Sequence, residues 1–162
     1  MQVTDVWGEL HTLFEGEAKN VQEIDLVNLR QGSMAECLTL LFNRARECSV
    51  QTLHRKSQQE IHLPSPHSIV NHVLQEQVSL SMWLTLPALP TLSVFIDYRD
   101  QISFGYIRGA WHAMEVLSFF DLLYEVRHMS PYSKVIPSEH CFNKKDQQKF
   151  NNVWQDYLHE VS

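Results

Sequence analysis

Between Gln77 and Ile96 the chain carries no charged residue, and apolar and small polar side chains alternate along it. Val78, Leu80, Met82, Leu84 and Leu86 share one parity, while Ser79, Ser81, Trp83 and Thr85 take the other. A period of two over nine residues belongs to a strand with one buried face. The same stretch holds Pro87, Pro90, three serines and two threonines, so it does not read as a bilayer helix. Beyond the prolines, Leu92, Val94, Ile96 and Tyr98 repeat the alternation. Arg99-Asp100-Gln101 turns the chain, and 102–107 returns as the second arm of a hairpin. An antiparallel sheet of three or more strands, at about 78–86, 91–98 and 102–107, is therefore expected at the centre of the fold.

Around it lie four to five helical patterns. Val3, Val6, Trp7, Leu10, Leu13 and Phe14 fall on one helical face, with Thr4 or Asp5 as cap and Gly16 as stop. Ser33-Met-Ala-Glu36 has the form of a capping box, opening a helix with Met34, Cys37, Leu38, Leu41 and Ala45 inward. Ser65-Pro66 starts another, since proline in the first turn gives up a donor that would be unpaired anyway. A long apolar helix is expected from 110 to about 127, and a strongly amphipathic one after Asn143 with Phe150, Val153, Trp154, Tyr157, Leu158 and Val161 inward. Residues 21–29 read as a short edge strand or a loop, 50–53 and 60–63 as weak strands, and the stretch with Pro131 and Pro137 as a loop. With strands beside helices, one core and no linker, the expectation is a single α+β domain over 1–162.

The charge balance narrows the partners. Net charge is −6, and residues 1–36 hold seven acids against Lys19 and Arg30. The nearest approach to a basic stripe is Arg44, Arg46, Arg55 and Lys56, interrupted by Glu47, which argues against direct nucleic-acid binding. An acidic surface steers in a basic protein partner instead. Three cysteines without framework spacing and an N-terminus without a basic-then-apolar leader point to a reducing, cytoplasmic setting.

Reaction chemistry has little footing. His54, His62, His67 and His72 crowd into nineteen residues, but no His-x-His, His-Glu-x-x-His or Cys-x-x-Cys occurs. His67 and His72, five apart, would point about 140° away from each other on a helix. A metal-dependent hydrolase would need these histidines to converge. A thiol enzyme would need His140 to reach Cys141, its neighbour in sequence, which seldom brings the side chains together. Glu17-Ala-Lys19 matches a nuclease fragment but lacks the strand and acidic partner that would give it use. No catalytic residue, metal ligand or cofactor is assigned.

The better candidate is a surface. If Val78, Leu80, Met82 and Leu84 face the core, Trp83 points the other way, and on the next strand so do Ser93, Phe95 and Asp97. Large aromatics among small polar residues and an acid fit a contact surface, because they supply area at low entropic cost. The competing reading makes Trp83 and Phe95 a second core layer under helices on both sheet faces. The two differ in whether Trp83 is wet. Asp97 and Asp100, flanking the hairpin tip, serve a turn on the structural reading and extend the surface on the other.

In overall profile (compact, α+β, acidic, rich in Trp and Tyr) the chain resembles the small acidic immunity proteins that bacteria pair with secreted toxins and, less closely, secretion chaperones. The immunity resemblance implies a tight one-to-one complex with a toxin domain, often a basic nuclease, whose active site is covered by acids and aromatics. Trp83, Phe95, Asp97 and Asp100 are the first candidates for such a contact; Glu15, Glu17, Glu23 and Asp25 are the second.

Overall fold

The computed structural model describes residues 2–17 and 20–162. In chain order the elements are α1 (Val3–Phe14), β1 (Gln22–Val27), α2 (Gln31–Arg44), β2 (Glu47–His54), α3 (Pro66–Leu74), β3 (Val78–Thr85), β4 (Leu92–Ile96), β5 (Ile102–Tyr106), α4 (Ala113–His128), β6 (Lys134–Pro137) and α5 (Lys144–Val161). The described strands form one antiparallel sheet in the order β2-β3-β4-β5-β1-β6. The three strands expected from the alternation are its contiguous middle, and the fold is α+β.

The alternation decides which face the helices take. Val78, Leu80, Met82 and Leu84, then Leu92, Val94 and Ile96, then Ile102, Phe104 and Tyr106 are all buried, as are Ile24 and Leu26. Against this face Phe14 of α1 stacks on Tyr106, with centroids 4.5 Å apart, and Phe119 of α4 meets Phe104 and Tyr106 edge-on. The Tyr106 hydroxyl donates to the Leu13 carbonyl at 2.9 Å, so the polar end of this buried ring is satisfied by the last turn of α1. α5 lays Phe150, Trp154 and Tyr157 around Phe120 of α4.

Several expectations change in the structure. Residues 22–27 are not an edge strand or a loop but an interior strand, paired with β5 on one side and β6 on the other. The supposed loop at Pro137 contains the edge strand β6, where proline's missing donor is tolerated. Residues 60–63 form no strand; Glu60 makes a single bridge to Leu53. Ser33 does not cap α2, which begins at Gln31; its hydroxyl is buried and donates to the Met129 carbonyl at 3.0 Å. β4 ends at Ile96, so Tyr98 leaves the core face and sits exposed beneath the Arg55 guanidinium, 4.3 Å from the ring centroid. The Ser65 and Asn143 caps form, accepting from Ser68 N–H at 3.2 Å and Asp146 N–H at 2.8 Å. Gly16, at φ +101°, ends α1 as expected, whereas the Thr4 side chain and Lys19 of the Glu17–Lys19 fragment lie outside the described residues.

Gly105 holds the middle of the sheet on the side opposite Phe104 and Tyr106. A Cβ there would overlap the Ser93 hydroxyl and come within 2.5 Å of Val21 Cγ1. Gly105→Ala is therefore expected to cost about 1–2 kcal/mol net, the overpacking outweighing the entropy alanine saves in the unfolded chain. Urea unfolding of the two chains at pH 7 checks this; an unchanged or raised midpoint would show that Val21 simply moves aside.

Candidate binding face

The strand register builds the opposite face of the sheet row by row. Gln51, Ser81, Phe95, Ser103, Asp25 and Ile136 are successive cross-strand partners from β2 to β6. Ser49, Trp83, Ser93, Gly105 and Glu23 form the next row. Over β2, β3 and β4 no side chain of these rows is buried. Trp83 is 40% exposed and Phe95 44% exposed. Trp83 is wet, and the second-core-layer reading of these two rings is excluded.

Strand spacing of about 4.8 Å sets the dimensions. Phe95 and Asp25 lie two strands apart, about 10 Å, and Trp83 and Glu23 three strands apart, about 14 Å. The face thus runs from an aromatic half on β3 and β4 to an acidic half on β1, with the small residues Ser93, Ser103 and Gly105 between. Glu23 and Asp25 stand here because β1 alternates too: Ile24 and Leu26 enter the core, which turns the two acids to this side. Asp97 continues the β4 parity at the rim, where Arg55 pairs with its carboxylate at 3.2 Å and also donates to its carbonyl.

The other candidates are not gathered here. Asp100 lies in the β4–β5 turn, where its carbonyl accepts from the Leu29 N–H at 2.9 Å. Glu15 ends α1 and meets His11 at 3.0 Å, and Glu17 is exposed in the loop beyond. The clustered histidines take separate local partners: His54 meets Ser57, His67 meets Asn71 and His72 meets the Ser68 carbonyl. Among the described residues no group of three or more His, Cys, Asp or Glu side chains converges as metal donors. The Cys141 thiol faces the Val21 carbonyl at 3.8 Å.

What local reading missed is the wall of the acidic half. Ser138 continues the β6 pairing by donating its N–H to the Glu23 carbonyl at 3.0 Å, and Asp25, Val27, Gln101, Ile136, Ser138 and His140, with Gln147 and Asn151 of α5, line a recess of about 480 Å³. Asp25 is 8% exposed, and its Oδ1 has no hydrogen-bond partner among the described residues. Burial pushes the Asp25 carboxyl up from its ordinary value; the Ser103 hydrogen bond and nearby His140 work against that rise. Glu23 is raised as well, by burial first and then by the charge of Asp25, with His140 opposing.

Two acids raised by folding make the folded chain hold protons more readily than the unfolded one. Their contribution to stability is favourable only in acid. It is lost as pH climbs from 3.8, the ordinary aspartate value, through the raised folded value. Asp25→Asn is expected to raise stability at pH 7 by on the order of 1 kcal/mol, because it removes a charge that burial disfavours. The gain should vanish at pH 3, where the parent residue is protonated in both states. Urea midpoints at both pH values decide; a loss of stability at pH 7 would mean that the carboxylate is a structural anchor.

Comparison with protein-family models, with characterised proteins and with solved structures finds no match. Function rests on the geometry of this face. Among the described residues no helix is long and apolar enough to cross a membrane.

Proposed function

We propose that the protein is a binding module that docks a basic protein partner on the open face of its sheet, acting as an inhibitor or immunity protein that covers the partner's site. One observation carries the reading: Trp83 and Phe95 stand wet on diagonal positions of a sheet face whose rows continue into Glu23 and Asp25. Solvent-exposed rings framed by small polar residues suit the centre of an interface, where tryptophan gains most from losing water. Glu23 and Asp25, two to three strands away on the same face, supply the complementary charge that orients a basic partner. On the β2–β4 part of the face none of the side chains in these two rows is buried.

The test is co-purification of the tagged chain from its native cells with the product of the neighbouring gene co-expressed, run in parallel with Trp83→Ala. The reading expects one stoichiometric partner held by the parent and lost from the variant, with the partner's own activity suppressed in the complex. Identical capture by both chains would place the contact elsewhere. Purified parent chain with stoichiometric zinc or manganese and no partner would move the weight to a metal-dependent enzyme.

A further inference from the structure

We infer that the recess behind Asp25 is an arginine pocket, receiving one guanidinium side chain from the partner that docks on the adjoining aromatic half. This rests on the docking reading above and adds its chemistry. Asp25 presents a carboxylate that is nine-tenths buried, lines the recess, and leaves Oδ1 unpaired among the described residues. An acceptor kept dry and unmet costs stability unless something supplies a donor. Oδ1 itself has almost no accessible surface, so the carboxylate has to turn to meet a ligand, and its torsion is a soft one.

The rest of the lining selects the donor. Gln147 donates one amide N–H to the Phe142 carbonyl at 2.7 Å, and its carbonyl oxygen is able to accept. Glu139 adds a second acid to the lining, and Glu23 lies close enough to feel the charge of Asp25. His140 is the one basic residue of the lining. Val27, Ile136 and Pro137 supply apolar walls. A guanidinium fits this set better than an ammonium. Its five N–H donors lie in one plane and can meet separated acceptors, it gives up water more readily than an ammonium, and its stem packs on apolar walls.

The experiment uses the full chain alone, titrated with N-acetyl-arginine methylamide and followed by amide chemical shifts. Saturable shifts are expected at Asp25, Ser103 and His140. Binding should be at least tenfold weaker for the lysine analogue, absent for the uncharged citrulline analogue, at least tenfold weaker in Asp25→Asn, and unchanged in Trp83→Ala. No saturable shift in the parent, equal binding of the citrulline compound, or full binding by Asp25→Asn would each overturn the pocket. The two readings fail separately. A silent titration with partner capture still dependent on Trp83 removes the pocket alone; a specific titration with capture indifferent to Trp83 removes the docking reading alone.

Discussion

Phe120→Ala should lower the stability of the chain by about 3–5 kcal/mol, the usual cost of deleting a fully enclosed phenyl ring. The ring has no exposed surface and is met edge-on by Phe150 at 5.6 Å, Trp154 at 5.3 Å and Tyr157 at 5.4 Å. Edge-to-face pairs add to simple burial, and one substitution removes three of them. The remaining rings cannot collapse into the space, because Trp154 and Tyr157 already stack on each other at 5.4 Å and the Tyr157 hydroxyl is tied to Asp121 at 2.5 Å. For a chain of 162 residues the loss corresponds to roughly 10 °C in Tm. Thermal unfolding by circular dichroism reads it, and hydrogen exchange should show α5 amides losing protection first, since Phe120 is the ring they close on. A drop below about 1 kcal/mol would mean that α5 is held by its contacts to α1 and β6 rather than by this cluster.

That cluster was readable in the sequence, because amphipathic periodicity is local: Phe150, Val153, Trp154 and Tyr157 recur on one helical face whatever they pack against. The β3–β5 alternation is local in the same way, and it identified Trp83 and Phe95 as outward-facing without saying what lay beyond them. Helix count could not decide that point. Five described helices would suffice for two faces, yet the aromatic side chains of α1 and α4 lock into the same face as Tyr106 and Phe104. Ser33 shows the reverse failure: a correct capping pattern was outweighed by a buried bond to Met129, almost a hundred residues away. β1 carried a usable signal, since Glu23, Asp25 and Val27 alternate with Ile24 and Leu26, but five positions are too few to distinguish an interior strand from an edge. The recess was out of reach altogether, because it needs His140 and the Gln147 and Asn151 side chains of α5 brought to the same recess as Asp25, and no spacing within one sequence encodes that approach.

Trp83→Ala is the counterpart of the core substitution, and its expected effects fall on the other quantity. If the docking proposal holds, partner affinity should drop by about 2 kcal/mol or more, roughly thirtyfold, through faster dissociation. Stability of the free chain should change by less than about 1 kcal/mol, the scale of cross-strand pairing lost on a solvated sheet face. The asymmetry follows from burial: Trp83 is 40% exposed when free, so much of its water is shed only when a partner arrives. Phe95→Ala should act similarly, and the double variant should fall short of the sum, because rings at diagonal positions bury shared partner surface. Surface plasmon resonance and urea unfolding on the same preparations separate the two quantities. Loss of affinity together with several kcal/mol of stability would mean that Trp83 holds β2 and β3 together and only indirectly shapes the face. Affinity unchanged with the fold intact would move the contact off this face, to the exposed acids Glu15 and Glu17 beyond α1.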